Sequence, residues 1–99
     1  MHVISRKKLL EAAKKHGKLG VQLDSWYRTA KSADWRSLQD VRQTYSAADG
    51  VPAGDKVFTV FNIQGNAFRL VTDIFYEDQT ILVRNVLTHA EYDRGDWKK

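Results

Sequence analysis

The sequence predicts an α+β domain: an N-terminal helical hairpin packed on a mainly antiparallel β-sheet, with a short helix near the C-terminal end. Three observations point there. Apolar residues recur at three-and-four spacing through the first half of the chain. From Lys56 onward they form runs rich in β-branched and aromatic residues. Between the halves lies SAADGVPAGD, Ser46 to Asp55, whose Gly50, Pro52 and Gly54 mark a loop. With 99 residues the chain can bury one modest core, so residues 1–99 read as a single domain.

After the short apolar start His2-Val3-Ile4, Ser5 is in position to cap a first helix, with Leu9, Leu10, Ala12 and Ala13 on one side and Gly17 as its stop. Leu19, Leu23, Trp26, Tyr27 and Ala30 carry the period into a second helix and put both aromatics on the buried stripe. Trp35, Leu38, Val41 and Tyr45 keep a weaker period that predicts a short third helix. KVFTVFNI, AFRLVTDIFY and TILVRNVLT then read as a three-stranded antiparallel meander. Two-residue turns at Gln64-Gly65 and Asp78-Gln79 set its register: Val60 opposite Arg69, Asn62 opposite Ala67, Asp73 opposite Arg84, and Arg69 opposite Thr88. Because side chains alternate, Phe61, Leu70, Ile81, Val83, Asn85 and Leu87 then share an apolar face for the helices. Asn62, Arg69, Asp73, Arg84, Val86 and Thr88 share a more open one. Last, Thr88-His-Ala-Glu91 has the spacing of a capping box, so the strand gives way to a helix. His89 and Tyr92 fall one turn apart at its start, where free amides favour an anion.

The net charge is +4, from 16 Lys and Arg against 12 Asp and Glu. Arg6, Lys7, Lys8, Lys14, Lys15 and Lys18 are opposed only by Glu11 in the first helical region. Such a face is either simply solvated or an attractor of phosphate backbones. No run approaches the roughly 18 apolar residues of a membrane helix, and MHVISRKK lacks the apolar stretch of a secretory signal, so no membrane partner and a cytoplasmic location are expected. There is no cysteine, and the histidines at 2, 16 and 89 are too scattered for a metal set, so neither metal nor cofactor is expected.

Arg69 has no carboxylate opposite in this register, and its planar fork suits phosphate oxygens. Arg84 faces Asp73, so an ion pair explains it as well as a binding role does. A histidine, a tyrosine and an arginine converging near a helix start fit the cleavage of RNA by its own 2′-hydroxyl. That reaction needs a base, an acid for the leaving 5′-oxygen, and cations for the phosphorane, which Arg69 with Lys56 or Arg84 can supply without a metal.

KVFTVFNIQGNAFRLV, Lys56 to Val71, and VRNVLTHAEYD, Val83 to Asp93, resemble the HigB family of bacterial toxins, of the RelE-like group of messenger-RNA interferases. MHVIS and the tryptophan and tyrosine of the second helix are similar too. The resemblance implies a RelE/ParE-like fold with helices on one sheet face and a cleft on the other. It implies an endoribonuclease that cuts mRNA on translating ribosomes, held inactive by a HigA-type helix-turn-helix antitoxin, through which alone it meets operator DNA. Motif by motif, it implies Arg69 in phosphate stabilisation and His89 and Tyr92 in proton transfer. Lys56 then stands at the cleft edge, Asn62 supports the cleft or contacts a base, Arg84 adds RNA-binding charge, and Lys7 and Lys14 suit ribosomal RNA. The competing functions are an inactive or ParE-like toxin acting on a protein target, and a plain RNA-binding module. The joint presence of Arg69, His89 and Tyr92 argues against the first, and aromatics on core stripes argue against the second.

Overall fold

In the computed structural model, which describes residues 1–98, the elements follow the predicted order with two additions. They are β1 (His2–Ile4), α1 (Arg6–Lys15), α2 (Gly20–Ser32), α3 (Leu38–Thr44), β2 (Asp49–Ala53), β3 (Lys56–Ile63), β4 (Phe68–Phe75), β5 (Thr80–Thr88) and α4 (His89–Arg94). The sheet order is β1-β5-β4-β3-β2; β1 runs parallel to β5 and every other pairing is antiparallel. α1 and α2 form the expected hairpin on one face. Leu9, Leu19, Leu23, Trp26 and Ala30 pack there with Phe61, Ile63, Leu70, Ile81 and Val83. Trp26 meets Phe61 edge-on at 5.4 Å. Each fully buried large apolar side chain contributes about 1.5–3 kcal/mol, so this cluster dominates the stability. Among the described residues no helix is long and apolar enough to cross a membrane.

The meander is wider than predicted. β1 is too short to show a period, and β2 lies within the segment that reads as a loop. Pro52 is tolerated because β2 is an edge strand, where a missing amide breaks no ladder. Ser5 does not cap α1: it takes a left-handed φ of 69° as the chain leaves β1, and its side chain makes no cap bond. A capping side chain needs extended backbone, which this sharp entry denies. Of the two α2 aromatics only Trp26 is fully buried; Tyr27 is half-exposed beneath the Arg6 guanidinium, 4.2 Å from its ring centre.

Both hairpins turn through four residues, 64–67 and 76–79, where two were expected. The pairing therefore shifts by two positions: Asn62 faces Arg69, and Asp73 faces Leu82. An even shift leaves each side chain on its predicted face. A bulge in β5 does not. Thr72 faces Val83 but Val71 faces Asn85, so Arg84 is an extra residue and everything beyond it inverts. Val86 joins the helix-side core, Leu87 turns to the other face, and Thr88 faces Phe68. The predicted pairs Asp73 with Arg84 and Arg69 with Thr88 do not form. Asp73, 6 % exposed, instead meets the Lys56 ammonium at 3.1 Å.

The second face carries its own small core. Phe58, Val60 and Val71 are buried there beneath Leu87, Tyr92 and Trp97. The C-terminal segment thus covers part of this face and leaves the rest as a cleft.

Candidate active site

α4 is fixed by the predicted capping box. The Glu91 amide donates to Thr88 Oγ1 at 3.2 Å, and the Thr88 amide donates to Glu91 Oε1 at 2.9 Å. That second bond is the main reason the Glu91 carboxyl lies below its ordinary range. Gly95, at φ 75°, ends the helix in the left-handed conformation that suits glycine. The chain then doubles back so that Trp97 Nε1 donates to the Tyr92 carbonyl at 3.0 Å and the two rings stack at 5.3 Å.

Tyr92 is therefore gripped from its own element and from the tail, and it faces β4. The Arg69 guanidinium lies 5.4 Å from its ring centre, steadied by a 2.9 Å bond from Nη1 to the Asn66 carbonyl. Asn62 stands directly across the ladder from Arg69. These three side chains line an open cleft of about 390 Å³ with Arg42, Ser46, Ala47, Ala48, Asp49 and Val60. Arg42 reaches from α3 to build its far wall: Nε donates to the Ala48 carbonyl at 2.8 Å, and Nη2 lies 3.5 Å from Asp49 Oδ1. Burial pushes the Tyr92 phenol up, the Asp49 charge adds to this, and Arg69 opposes it. A phenol is already protonated at neutral pH at its ordinary value of about 10, and the upward shift extends that range. Two guanidinium groups, a phenolic donor and a carboxylate can bind an anion and move protons on either side of it.

The other predicted site residues lie elsewhere. His89 is not among the residues lining the cleft; its Nε2 is 3.1 Å from Asp93 Oδ2, and its amide donates to the Ala67 carbonyl at 3.0 Å. Lys56 is six positions along β3 from Asn62, about 20 Å at ~3.3 Å per residue, and is engaged by Asp73. Arg84 sits at the bulge with its guanidinium 5.4 Å from the Phe58 ring centre. Lys7 and Lys14 are exposed on α1, Lys7 at 3.9 Å from Glu11. Arg42 and Asp49 have no counterpart in the sequence reading. Arg42 lies on the polar side of a weakly periodic helix, and Asp49 lies in a segment whose glycines and proline mask its strand.

A helix-backed, mainly antiparallel sheet with a cleft on its opposite face is the architecture expected of a RelE-like toxin domain. The model of the HigB_toxin family, a RelE-like toxic component of a toxin-antitoxin system, matches residues 20–95. The mRNA interferase toxin HigB of Escherichia coli K12 is 32% identical over 93 residues, 94% of this chain and 88% of the relative. The mRNA interferase HigB of Shigella flexneri matches to the same extent, and that of Escherichia coli O6:H1 strain CFT073 is 29% identical over 94 residues, 95% of this chain and 90% of the relative. The chain belongs to the HigB family of toxins, and as the toxic component of such a system it has an antitoxin for a partner.

Proposed function

We propose that this toxin is an endoribonuclease, an mRNA interferase that stops translation by cutting messages presented on the ribosome, and that a HigA-type antitoxin restrains it. The observation that carries this reading is the meeting of Arg69 and Tyr92, from β4 and α4, across the cleft of a chain whose relatives are named mRNA interferases. In the reaction the 2′-oxygen bonds to the adjacent phosphorus and the bond to the 5′-oxygen breaks, leaving a 2′,3′-cyclic phosphate and a 5′-hydroxyl. Arg69, with Arg42 in the facing wall, offsets the charge that grows on the phosphorane oxygens. Tyr92, kept protonated, gives its proton to the departing 5′-oxygen. Asn62 orients the strand from beside Arg69.

The acceptor of the 2′-hydroxyl proton is assigned to Asp49 in preference to His89, because Asp49 lines the cleft and His89 does not. Asp49→Asn and His89→Gln, compared in the cleavage assay below, separate the two: loss of cutting in the first and its retention in the second support Asp49, and the reverse gives the role to His89.

The test adds purified toxin to a translation reaction and maps message ends by primer extension, with Arg69→Ala alongside and a ribosome-free control. Discrete cuts that Arg69→Ala abolishes are expected, and their loss in the control bears out the ribosomal step. Intact message and unimpaired translation at excess toxin overturn the interferase reading.

A further inference from the structure

The cations outside the cleft are not evenly placed. On α1, Lys8 and Lys15 are two turns apart on the side that meets β5, whereas Lys7 and Lys14 stand one residue round from them and line no part of that side. β1 ends at Ile4, opposite Leu82, so from Val83 onward β5 is a free edge of the sheet. A groove follows that edge in two adjoining parts of about 310 and 290 Å³, which share Lys8, Arg84 and Asn85. Lys15 and Glu11 stand in its helical wall, and Trp97 and Asp96 in the wall made by the C-terminal segment. Lys8 Nζ donates to the Arg84 carbonyl at 2.8 Å, which satisfies an edge acceptor and leaves two of its donors for the groove.

The groove also connects to the cleft. Arg84 lies over Phe58, Phe58 packs edge-on against Trp97 at 5.9 Å, Trp97 stacks on Tyr92, and Arg69 covers Tyr92. A continuous set of contacts, running beneath the surface at Phe58, therefore joins the groove at the bulge to the candidate catalytic groups.

We propose that the groove between α1 and the free edge of β5 is a second RNA subsite, holding backbone phosphates of the same single strand whose scissile bond lies in the Arg69–Tyr92 cleft. The assignment rests on the interferase reading. Lys8, Lys15 and Arg84 outnumber Glu11 and Asp96 in its walls and Trp97 adds a ring there, and cations beside an aromatic side chain are the combination that holds single strands without reading their sequence. An acidic peptide would use the three cations but would gain nothing from the groove's continuity with the cleft through Trp97 and Tyr92.

Anisotropy with fully 2′-O-methylated single strands of 4 and 12 nucleotides, which cannot be cut, tests this. The Lys8→Gln/Lys15→Gln double variant is expected to lose ~10-fold in affinity for the 12-mer, to lower the salt slope by about 1.4, and to bind the 4-mer as the unaltered protein does. Lys7→Gln/Lys14→Gln removes the same charge from the same helix and is expected to shift the 12-mer by less than about twofold. Equal losses from the two pairs, or a loss shared by the 4-mer, overturn the subsite. So does selective loss of a glutamate decamer with the 12-mer unaffected, which would give the groove to a protein partner. Message cutting in the translation reaction is read in parallel. Cuts that persist while both pairs leave the 12-mer affinity unchanged overturn the subsite alone, and no cuts with no binding overturn the interferase reading with it.

Discussion

Tyr92 combines two properties that a proton donor needs: a phenol that is neutral at physiological pH, its pKa pushed further up by partial burial and the Asp49 charge, and a ring immobilised by Trp97. Tyr92→Phe removes the proton and keeps the stack, so cleavage should fall about 10²–10⁴-fold while the melting temperature stays where it is. With its pKa raised, the phenol is protonated throughout the range below its ordinary value of about 10, and activity is lost only as pH rises through the still higher folded value. An alkaline limb well below 10 would remove Tyr92 from the role. At this scale Arg69 and Tyr92 were legible as candidates from the strand and helix patterns and Asn62 from the family resemblance, and the three line one cleft. It does not show Arg42 and Asp49, which meet only because α3 and the first residue of β2 fold against each other.

α4 contributes only six residues and no fully buried side chain, so its cap matters more than in a longer helix. Thr88→Ala should cost about 0.5–2 kcal/mol, read by denaturant unfolding, with the loss in activity following the loss of α4. Glu91 adds a pH dependence of known sign. Its carboxyl is depressed in the folded chain, first by the Thr88 amide, so its contribution is present above the unfolded value and fades as pH falls through the folded one. Glu91→Gln should flatten that acid-side decline; an unchanged decline would assign it to other carboxylates. The capping box was legible because four residues in sequence specify it. The bulge at Arg84 was not, because no local signal marks where a ladder gains a residue, and its effect reaches every side chain beyond it. The longer turns did less harm, since an error of two positions restores the face that an error of one exchanges.

Over the whole molecule, one sheet serves two cores of unequal size: the helix-side cluster, and a smaller one closed by α4 and the tail. The Lys56–Asp73 pair belongs to the architecture of the second face: Asp73 stands four positions along β4 from Arg69, about 13 Å at ~3.3 Å per residue. Lys56→Gln leaves a nearly buried carboxylate without its cation, so stability should drop by about 1–3 kcal/mol while cleavage per folded molecule is kept. A loss of cleavage without a loss of stability would instead make Lys56 part of the RNA surface.

The small core allows its cover to open by itself. Trp97 ties the tail to α4 by one hydrogen bond and one stack, and it packs against Phe58 from above. Trp97→Ala removes all three contacts and touches nothing in the helix-side core. Hydrogen exchange should then show α4 amides opening readily while those of β3 and β4 stay protected up to global unfolding, because elements with little buried apolar area open at low cost. Cleavage should fall with α4, since Tyr92 loses the ring that holds it, and a Trp97→Phe variant should recover part of it by restoring the stack. A uniform drop in protection along the chain would show that the two cores unfold as one, and Trp97 would then be a general stabiliser with no particular claim on the cleft.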